Sequence, residues 1–324
     1  MKVKSLLKKK KKYHFNLFAF IVFFMLFASS ALMIGILLLG LITSLKQESD
    51  IAIDSNIFGL PNLEWWKWDQ YYPNNIFGNY FYAVKNLQLK LSNSYIVGMI
   101  NPSRVRVEVE VNLLTALWNT ILYAGIGGIF QTFIPLYMGY LCAKYKNKLS
   151  RAIYVIALFV IAIPIVGNQP SVINLMRNLR LFDTIIGDFM RRSTFTNVYF
   201  LLFYAYFTTI PDDYGESAEI DGANQLTIMF RIYLPLALPM FFTIYLLIFV
   251  ANWNDFTTPM LYLPSYPTIS YLLYYKTTVN SGSAFNSDVR RIAALMLSAI
   301  PITALFIGFN KRLMTNLAVG GIKG

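Results

Sequence analysis

Charged residues are scarce in this sequence. Aspartate, glutamate, lysine and arginine together make up 14% of the 324 residues, whereas a typical soluble protein has about 25%. The charge that is present is unbalanced, because 28 lysines and arginines face 16 aspartates and glutamates, for a formal net charge of +12. A soluble basic protein needs polar surface to carry such a charge. The composition therefore excludes a disordered protein and argues against nucleic acid as a partner.

Cysteine and histidine are almost absent, with one residue of each type, Cys142 and His14. A single cysteine cannot form an internal disulfide. One cysteine and one histidine also exclude a metal site built from these residues within the chain. We accordingly expect no metal and no catalytic residue here.

Long apolar runs are what the sequence does have, since 56% of its residues are hydrophobic. A helix of about 20 apolar residues crosses the hydrocarbon core of a bilayer. The composition and the runs predict an all-α, polytopic membrane protein with about six transmembrane helices, in the cell (plasma or inner) membrane. The predicted spans are Leu17–Thr43, Leu113–Ala143, Ala152–Val166, Phe195–Thr209, Leu234–Ala251 and Ile292–Phe309.

Lysines near the ends of the spans predict the orientation, because basic residues favour the cytoplasmic side. The run Lys8–Lys12 precedes the first span and predicts a cytoplasmic N-terminus. The first apolar run is roughly twice the length of a signal-peptide core, so we interpret it as a retained anchor. The predicted parts are a basic cytoplasmic N-terminus (1–15), the first transmembrane helix (16–43), an extracytoplasmic segment (44–110), a core transmembrane domain (111–310) with a cytoplasmic loop (209–235), and a cytoplasmic tail (311–324).

One basic segment, 177–192, disagrees with this orientation. Its arginines would lie outside, and we expect them on a short interfacial helix whose side chains reach toward the headgroups. These arginines are Arg177, Arg180, Arg191 and Arg192.

The loop 209–235 is unusually polar for a chain of this composition. Pro211 and two aspartates predict the start of a short helix, Gly222 predicts its end, and Asn224 is a cap for a second helix, Gln225–Tyr233. A short acidic helix with small residues suits docking into a groove on another protein. A plain solvated loop would have the same composition, and the residues alone do not separate the two.

The spacing of residues in this loop resembles the EAA motif of ABC-importer permeases, E-A-A-x3-G-x9-I-x-L-P. The matching residues are Glu216, Ser217 in place of the middle alanine, Ala218, Gly222, Ile232, Leu234 and Pro235. Three other stretches resemble the sugar and glycerol-3-phosphate branch of that family, most closely the second permease of maltose-type systems. They are Trp253-Asn254-Asp255-Phe256, Trp118-Asn119-Thr120 and the tail Leu317–Gly324. The resemblance covers about residues 111–324.

The resemblance implies a type I importer fold with a cytoplasmic coupling helix. It implies a second permease, two ATP-binding subunits, a solute-binding protein outside and lipid around the spans. ATP and magnesium would be bound by the partner subunits and no cofactor by this chain, which has no phosphate-binding G-x-x-x-x-G-K-[ST] loop. The residues that would dock on the ATPase are Glu216, Ser217, Ala218, Asp221, Gly222, Ile232, Leu234 and Pro235. The tail residues Gly320, Gly321 and Lys323 would reach toward the ATPase, or form a frayed terminus.

Residues that contact the solute are harder to identify. Polar groups within or at the ends of spans are costly and often functional. We consider Trp253, Asn254, Asp255 and Asn119 as contacts to the pathway or the binding protein. Asn119 and Gln131 would equally serve as hydrogen-bonding groups between helices, and Asn254 and Asp255 as a helix end. The sequence leaves open a sugar or a glycerol phosphate, and alternative functions as a lipid-modifying membrane enzyme or an assembly scaffold.

Overall fold

A computed structural model of the chain describes residues 17–52, 58–61, 77–97, 103–163, 167–279 and 285–320. The basic N-terminus 1–15 and the tail residues Gly321 and Lys323 lie outside the described residues. So does most of the middle of the segment 44–110.

The described chain is mainly helical, with one two-stranded sheet. The elements before the sheet are α1 (Leu17–Ser44), α2 (Glu48–Ala52) and α3 (Gly78–Asn86), and the strands are β1 (Leu89–Val97) and β2 (Ser103–Val111). The elements that follow are α4 (Leu113–Lys144), α5 (Lys148–Ala162), α6 (Gln169–Asn178), α7 (Ile185–Arg192), α8 (Val198–Thr209), α9 (Asp213–Ile220), α10 (Gln225–Asn254), α11 (Thr257–Tyr262), α12 (Ile269–Tyr274) and α13 (Asp288–Gly320).

Helices occupy all six predicted spans. Within the described residues, α1, α4 and α10 are long and apolar enough to cross a membrane. The third and fourth predicted spans correspond to shorter helices, α5 with 15 residues and α8 with 12. Each begins where an asparagine side chain accepts a hydrogen bond from a backbone N–H of the first turn, Asn147 for α5 and Asn197 for α8. The third helix therefore starts earlier, and the fourth later, than the hydropathy alone predicted.

The last helix is longer than its predicted span. α13 runs from Asp288 to Gly320, so it continues past Phe309 and includes most of the predicted tail. Pro301 lies inside α13, and Pro135 and Pro239 lie inside α4 and α10. Membrane helices tolerate such prolines because neighbouring groups can satisfy the freed carbonyls.

In the described part of the chain, three helices contain or continue into a wider π-helical turn. These turns are Ile121–Ile126 within α4, Met229–Tyr233 within α10 and Tyr275–Val279 directly after α12. π-Helical turns are rare and are often found at functional sites. The turn in α10 lies within the predicted polar loop 209–235, at the N-terminal end of that helix.

The segment between the first two spans contains the sheet. β1 and β2 form an antiparallel hairpin in which Leu89 pairs with Val111 and Val97 with Ser103. Leu87, Leu89 and Val111 are buried in one hydrophobic cluster, together with residues of α4, α10 and α12. The hairpin is thereby attached at its base to the helical core.

A second hydrophobic cluster lies where α4, α8 and α10 meet. It includes Leu136 and Tyr140 of α4, Phe207 of α8, and Tyr233 of α10, all of them buried. The central helix α4 packs against both α8 and α10, whereas α1 packs mainly against α13. The acidic helix α9 follows α8 directly and therefore lies close to this cluster.

Candidate functional site

The acidic helix α9 has a well-defined C-terminal end. Gly222 has a φ of +82°, a left-handed conformation that glycine adopts without strain. The Gly222 N–H donates to the Glu219 carbonyl at 3.0 Å, and the Ala223 N–H donates to the Ala218 carbonyl at 2.9 Å. These two bonds form a Schellman motif. The predicted helix end at Gly222 is confirmed.

The following helix starts at the predicted cap. The Asn224 side chain accepts a hydrogen bond from the Thr227 N–H at 2.8 Å. Only Asp221 to Asn224 separate α9 from α10, so the direction of α9 is tied closely to that of the long helix.

Asp212 holds the other end of α9. Its carboxylate forms ion pairs with Lys144 at 2.8 Å and Lys146 at 2.7 Å. The hydrogen bonds from Lys144 and from Lys146 lower the pKa of Asp212 to about 2. Asp212 is therefore ionised at any physiological pH.

Lys144 is the point where four elements meet. It is the last residue of α4, and its ammonium group bonds Asp212 just before α9 and the carbonyl of Ile210 just after α8. The same group lies 5.0 Å from the centre of the Tyr233 ring in α10. A cation suits this position because the carbonyls that end a helix carry partial negative charge.

The buried face of α9 packs against Tyr233. Gly215 is the buried residue of this helix, and a β-carbon there would lie 2.9 Å from the Tyr233 hydroxyl. The Tyr233 ring in turn packs on Tyr140, with ring centres 5.3 Å apart. A small residue at position 215 therefore permits close contact between α9 and α10.

The opposite face of α9 is open. Glu216, Ser217, Asp221 and Gly222 are exposed and Ala218 is partly buried, while Ile220 at the tip is 87% exposed. Among the described residues, no hydrogen bond or ion pair engages the carboxylates of Asp213, Glu216 and Asp221. The site therefore presents free acidic groups around an apolar tip. Of the other motif residues, Ile232 and Leu234 are partly buried and Pro235 is exposed.

The residues considered for solute contact lie elsewhere and are mostly enclosed. Trp253 is buried and its indole N–H donates to the Ser298 carbonyl at 3.3 Å. Asp255 accepts from the Tyr123 hydroxyl at 2.8 Å, and buried Asn119 donates to the Pro267 carbonyl at 3.1 Å. Asn254 is exposed, with its amide bonded to its own helix at Val250. Of these four, Asn254 is exposed and Asp255 partly exposed, whereas Trp253 and Asn119 are buried.

The expectation for the basic segment 177–192 was wrong for Arg192. Its side chain is buried, ion-pairs with Asp188 at 2.6 Å and donates to the Tyr123 carbonyl at 3.1 Å. Arg191 also bonds Asp188 and lies 4.2 Å from the Tyr262 ring centre. The sequence analysis missed this pair, although the spacing of Asp188 and Arg192, four residues apart on a helix, is a signal that could have predicted it.

No group of three or more histidine, cysteine, aspartate or glutamate residues that could hold a metal ion occurs in the described part of the chain. Gly320 ends α13, and its predicted neighbours in the tail fall outside the described residues.

Residues 131–318 match the family of binding-protein-dependent transport system inner membrane components. The match covers more than half of the chain and includes α9, all of α10 and the C-terminal part of α4. The chain belongs to this family, the membrane subunits of ABC importers. The predicted fold class and family are thereby confirmed.

Two curated relatives illustrate the family. The melibiose/raffinose/stachyose import permease protein MelC of Bacillus subtilis is 23% identical over 256 residues, which is 75% of this chain and 91% of MelC. The trehalose transport system permease protein SugB of Mycobacterium tuberculosis is 27% identical over 251 residues, 74% of this chain and 90% of SugB.

A solved structure has the same fold. It is a chain of a bacterial ABC transporter involved in the import of the acidic polysaccharide alginate, with a TM-score of 0.69 and 20% identity. The likeness covers 92% of this chain and 98% of that one.

Proposed function

We propose that this chain is a pathway-forming permease of an ATP-driven carbohydrate importer, and that the loop 209–235 couples it to the ATP-binding subunits. A second permease would complete the pathway, and a solute-binding protein would deliver the solute. ATP and magnesium would be bound by the ATP-binding subunits, and lipid would cover the exposed apolar helices such as α1.

The observation that carries the proposal is the exposed face of α9. A helix whose ends are fixed, and whose Asp213 and Glu216 carboxylates are unpaired among the described residues, is prepared for a partner rather than for its own core. Glu216 and Asp221 would meet basic groups of that partner, and the exposed Ile220 would enter an apolar pocket between them. Ser217, Ala218 and Gly222 are small enough to permit close approach.

In this proposal α9, the α4–α5 loop and the N-terminus face the cytoplasm, and 44–110 faces outward. The basic residues of the α4–α5 loop support this side, because positive charge favours the cytoplasm. The tail residues Gly320, Gly321 and Lys323 would approach the ATP-binding subunits. On the far side, Trp253, Asn254, Asp255 and Asn119 are the proposed contacts to the pathway or the binding protein, and Asn254 is the exposed one of the four.

A carbohydrate is the proposed solute because the relatives named above carry melibiose, raffinose, stachyose and trehalose in their names. A glycerol phosphate is the competing solute. Titrating the co-purified binding protein with trehalose, raffinose and glycerol 3-phosphate separates the two. Tight binding of the phosphate alone would contradict the carbohydrate assignment.

The coupling role is tested by Glu216→Lys. Placing a cation where the partner offers basic groups should weaken association with the ATP-binding subunits about tenfold or more. The measurement is co-purification of the assembled transporter in mild detergent, followed by uptake in proteoliposomes.

A matched control is Glu108→Lys, which reverses an exposed acidic residue in the hairpin. It should leave association with the ATP-binding subunits unchanged. Full association and uptake by the Glu216→Lys transporter would remove the basis for the proposed docking.

A further inference from the structure

α9 is fastened at both ends to one short segment, Lys144 to Lys146, where α4 ends and the loop to α5 begins. The N-terminal fastening is the pair of ion bonds from Lys144 and Lys146 to Asp212. At the C-terminal end, the Tyr145 hydroxyl donates to the Gln225 side chain at 2.6 Å. The Gln225 amide in turn donates to the Glu219 carboxylate.

The two fastenings hold α9 more firmly than one could. Asp212 and Glu219 are seven residues apart, which is about 10 Å along a helix axis. One attachment would leave α9 free to swing about it, whereas two attachments at opposite ends remove that rotation. A helix of eight residues is not stable by itself in water, so these contacts also support its formation.

The segment that receives both fastenings leads directly into the central helix. Lys144 is the C-terminal residue of α4, and α4 packs against both α8 and α10. A displacement of α9 would therefore reach α4 through Lys144 and Tyr145, in addition to the covalent route into α10. Lys144 is largely enclosed, with its side chain 7% exposed, so the side chain has little room to change its conformation.

We propose that Lys144 and Tyr145 are positioning residues for coupling, which convert a displacement of α9 into a displacement of the C-terminal end of α4. The proposal rests on the proposed function, because it assumes that a partner moves α9. It predicts that removing the Lys144 and Tyr145 contacts leaves the partner bound but makes its movement less effective. The expected defect is one of efficiency rather than of assembly.

The test uses Lys144→Met, Tyr145→Phe and the double variant in the assembled transporter. Methionine keeps an unbranched apolar stem, and phenylalanine removes only the hydroxyl. The readout is the number of solute molecules transported per ATP hydrolysed in proteoliposomes, beside the yield of assembled transporter. For the double variant we expect that ratio to fall about fivefold or more, the usual scale of a coupling between sites, at unchanged yield.

Two matched controls probe similar groups outside the fastenings. Tyr206→Phe removes a hydroxyl that donates to the Leu236 carbonyl at 2.7 Å, and Lys148→Met removes an exposed lysine at the start of α5. Both should keep the wild-type ratio. Lys144→Arg retains the cation and should recover most of the loss caused by Lys144→Met.

The outcomes separate the two proposals. If Glu216→Lys disrupts assembly while the double variant keeps the wild-type ratio, the positioning role is overturned and the docking role stands. If the double variant lowers only the yield of assembled transporter, its residues serve stability alone and the positioning role is again overturned. If Glu216→Lys changes neither assembly nor uptake, the docking role itself fails.

Discussion

Two aspartates in this molecule are each held by two cations, in opposite surroundings. Asp212 pairs with Lys144 and Lys146, and its side chain is 41% exposed. Asp188 pairs with Arg191 and Arg192, and its side chain is 0% exposed. The same charge pattern therefore occurs once at the surface, beside the proposed docking helix, and once in the interior.

The difference in burial decides what each cluster can do. A partly exposed pair is screened by water and ions and contributes little to stability. A buried pair has lost its hydration, and removing one member leaves an uncompensated charge. The Asp212 cluster therefore connects the start of α9 to the end of α4 with little gain in stability, whereas the Asp188 cluster fixes α7 against α4.

The two clusters also use different cations, lysine around Asp212 and arginine around the buried Asp188. Arg192 uses its planar group in several ways, pairing with Asp188, donating to the Tyr123 carbonyl and lying 4.0 Å from the Tyr123 ring centre. A lysine ammonium could not make this set of contacts. α7 is thereby reversed relative to a soluble amphipathic helix, since Asp188 and Arg192 are buried while Ile186 and Met190 are exposed.

The largest predicted effect comes from breaking the buried cluster. Arg192→Met should destabilise the protein by about 3–5 kcal/mol, because Asp188 loses a buried partner. The measurement is thermal unfolding of the purified protein in detergent. Arg191→Met is the matched control and should have a smaller effect, since Arg191 is more exposed than Arg192. Equal effects of the two substitutions would contradict the contrast.

An intermediate effect is expected from Gly127→Ala in α4. A β-carbon there would overlap the Arg192 guanidinium and lie 3.0 Å from the Phe189 ring. Displacing these groups should destabilise the protein by about 1–3 kcal/mol. Gly35→Ala in α1 is the control, because no atom lies within 4 Å of its added carbon. Thermal unfolding of both variants side by side measures the difference, and equal melting temperatures would disprove the close contact.

The smallest effect is expected from Asp212→Asn. The loss of stability should be below about 1 kcal/mol at neutral pH, because the ion pairs are partly solvated. The native pKa of Asp212 is lowered to about 2, below an unfolded value of about 3.9. Its contribution is therefore present above about pH 4 and lost as the pH falls toward 2.

Salt sharpens this last comparison. Raising the ionic strength should reduce the difference between wild type and Asp212→Asn, since exposed charges are screened, and leave the effect of Arg192→Met largely intact. Unfolding at low and high salt checks both. If the effect of Asp212→Asn did not depend on salt, the ion pairs of Asp212 would behave like the buried pairs of Asp188.

Local signals in the sequence were enough for several features. Hydropathy located the spans, and the end of α9 and the start of α10 followed from Gly222 and Asn224, because each acts through its own backbone neighbourhood. The alternating run Ser103–Val111, in which valines recur at every second position, was a strand signal that hydropathy averaging concealed. The hairpin was missed for that reason.

Contacts between distant residues were beyond the reach of such signals. Lys144 and Asp212 lie 68 positions apart, and Tyr123 and Asp255 lie 132 apart. No periodicity records such a pairing. The arginines of 177–192 were placed at the interface by counting positive charges alone. The carboxylate of Asp188 is what allows Arg192 to lie inward, and its effect depends on tertiary packing.

The three π-helical turns bear on how this chain is aligned with its relatives. A π-helical turn holds one residue more than the α-helical turn it replaces, and each residue of an α-helix advances the direction of its side chain by about 100°. Loss of one residue from Ile121–Ile126 would convert this turn into an α-helical one and keep Leu113–Thr120 in the same orientation relative to the rest of α4. A single-residue gap at this point of an alignment thus keeps the side chains on either side equivalent, whereas a gapless alignment would shift them by one residue, or about 100°.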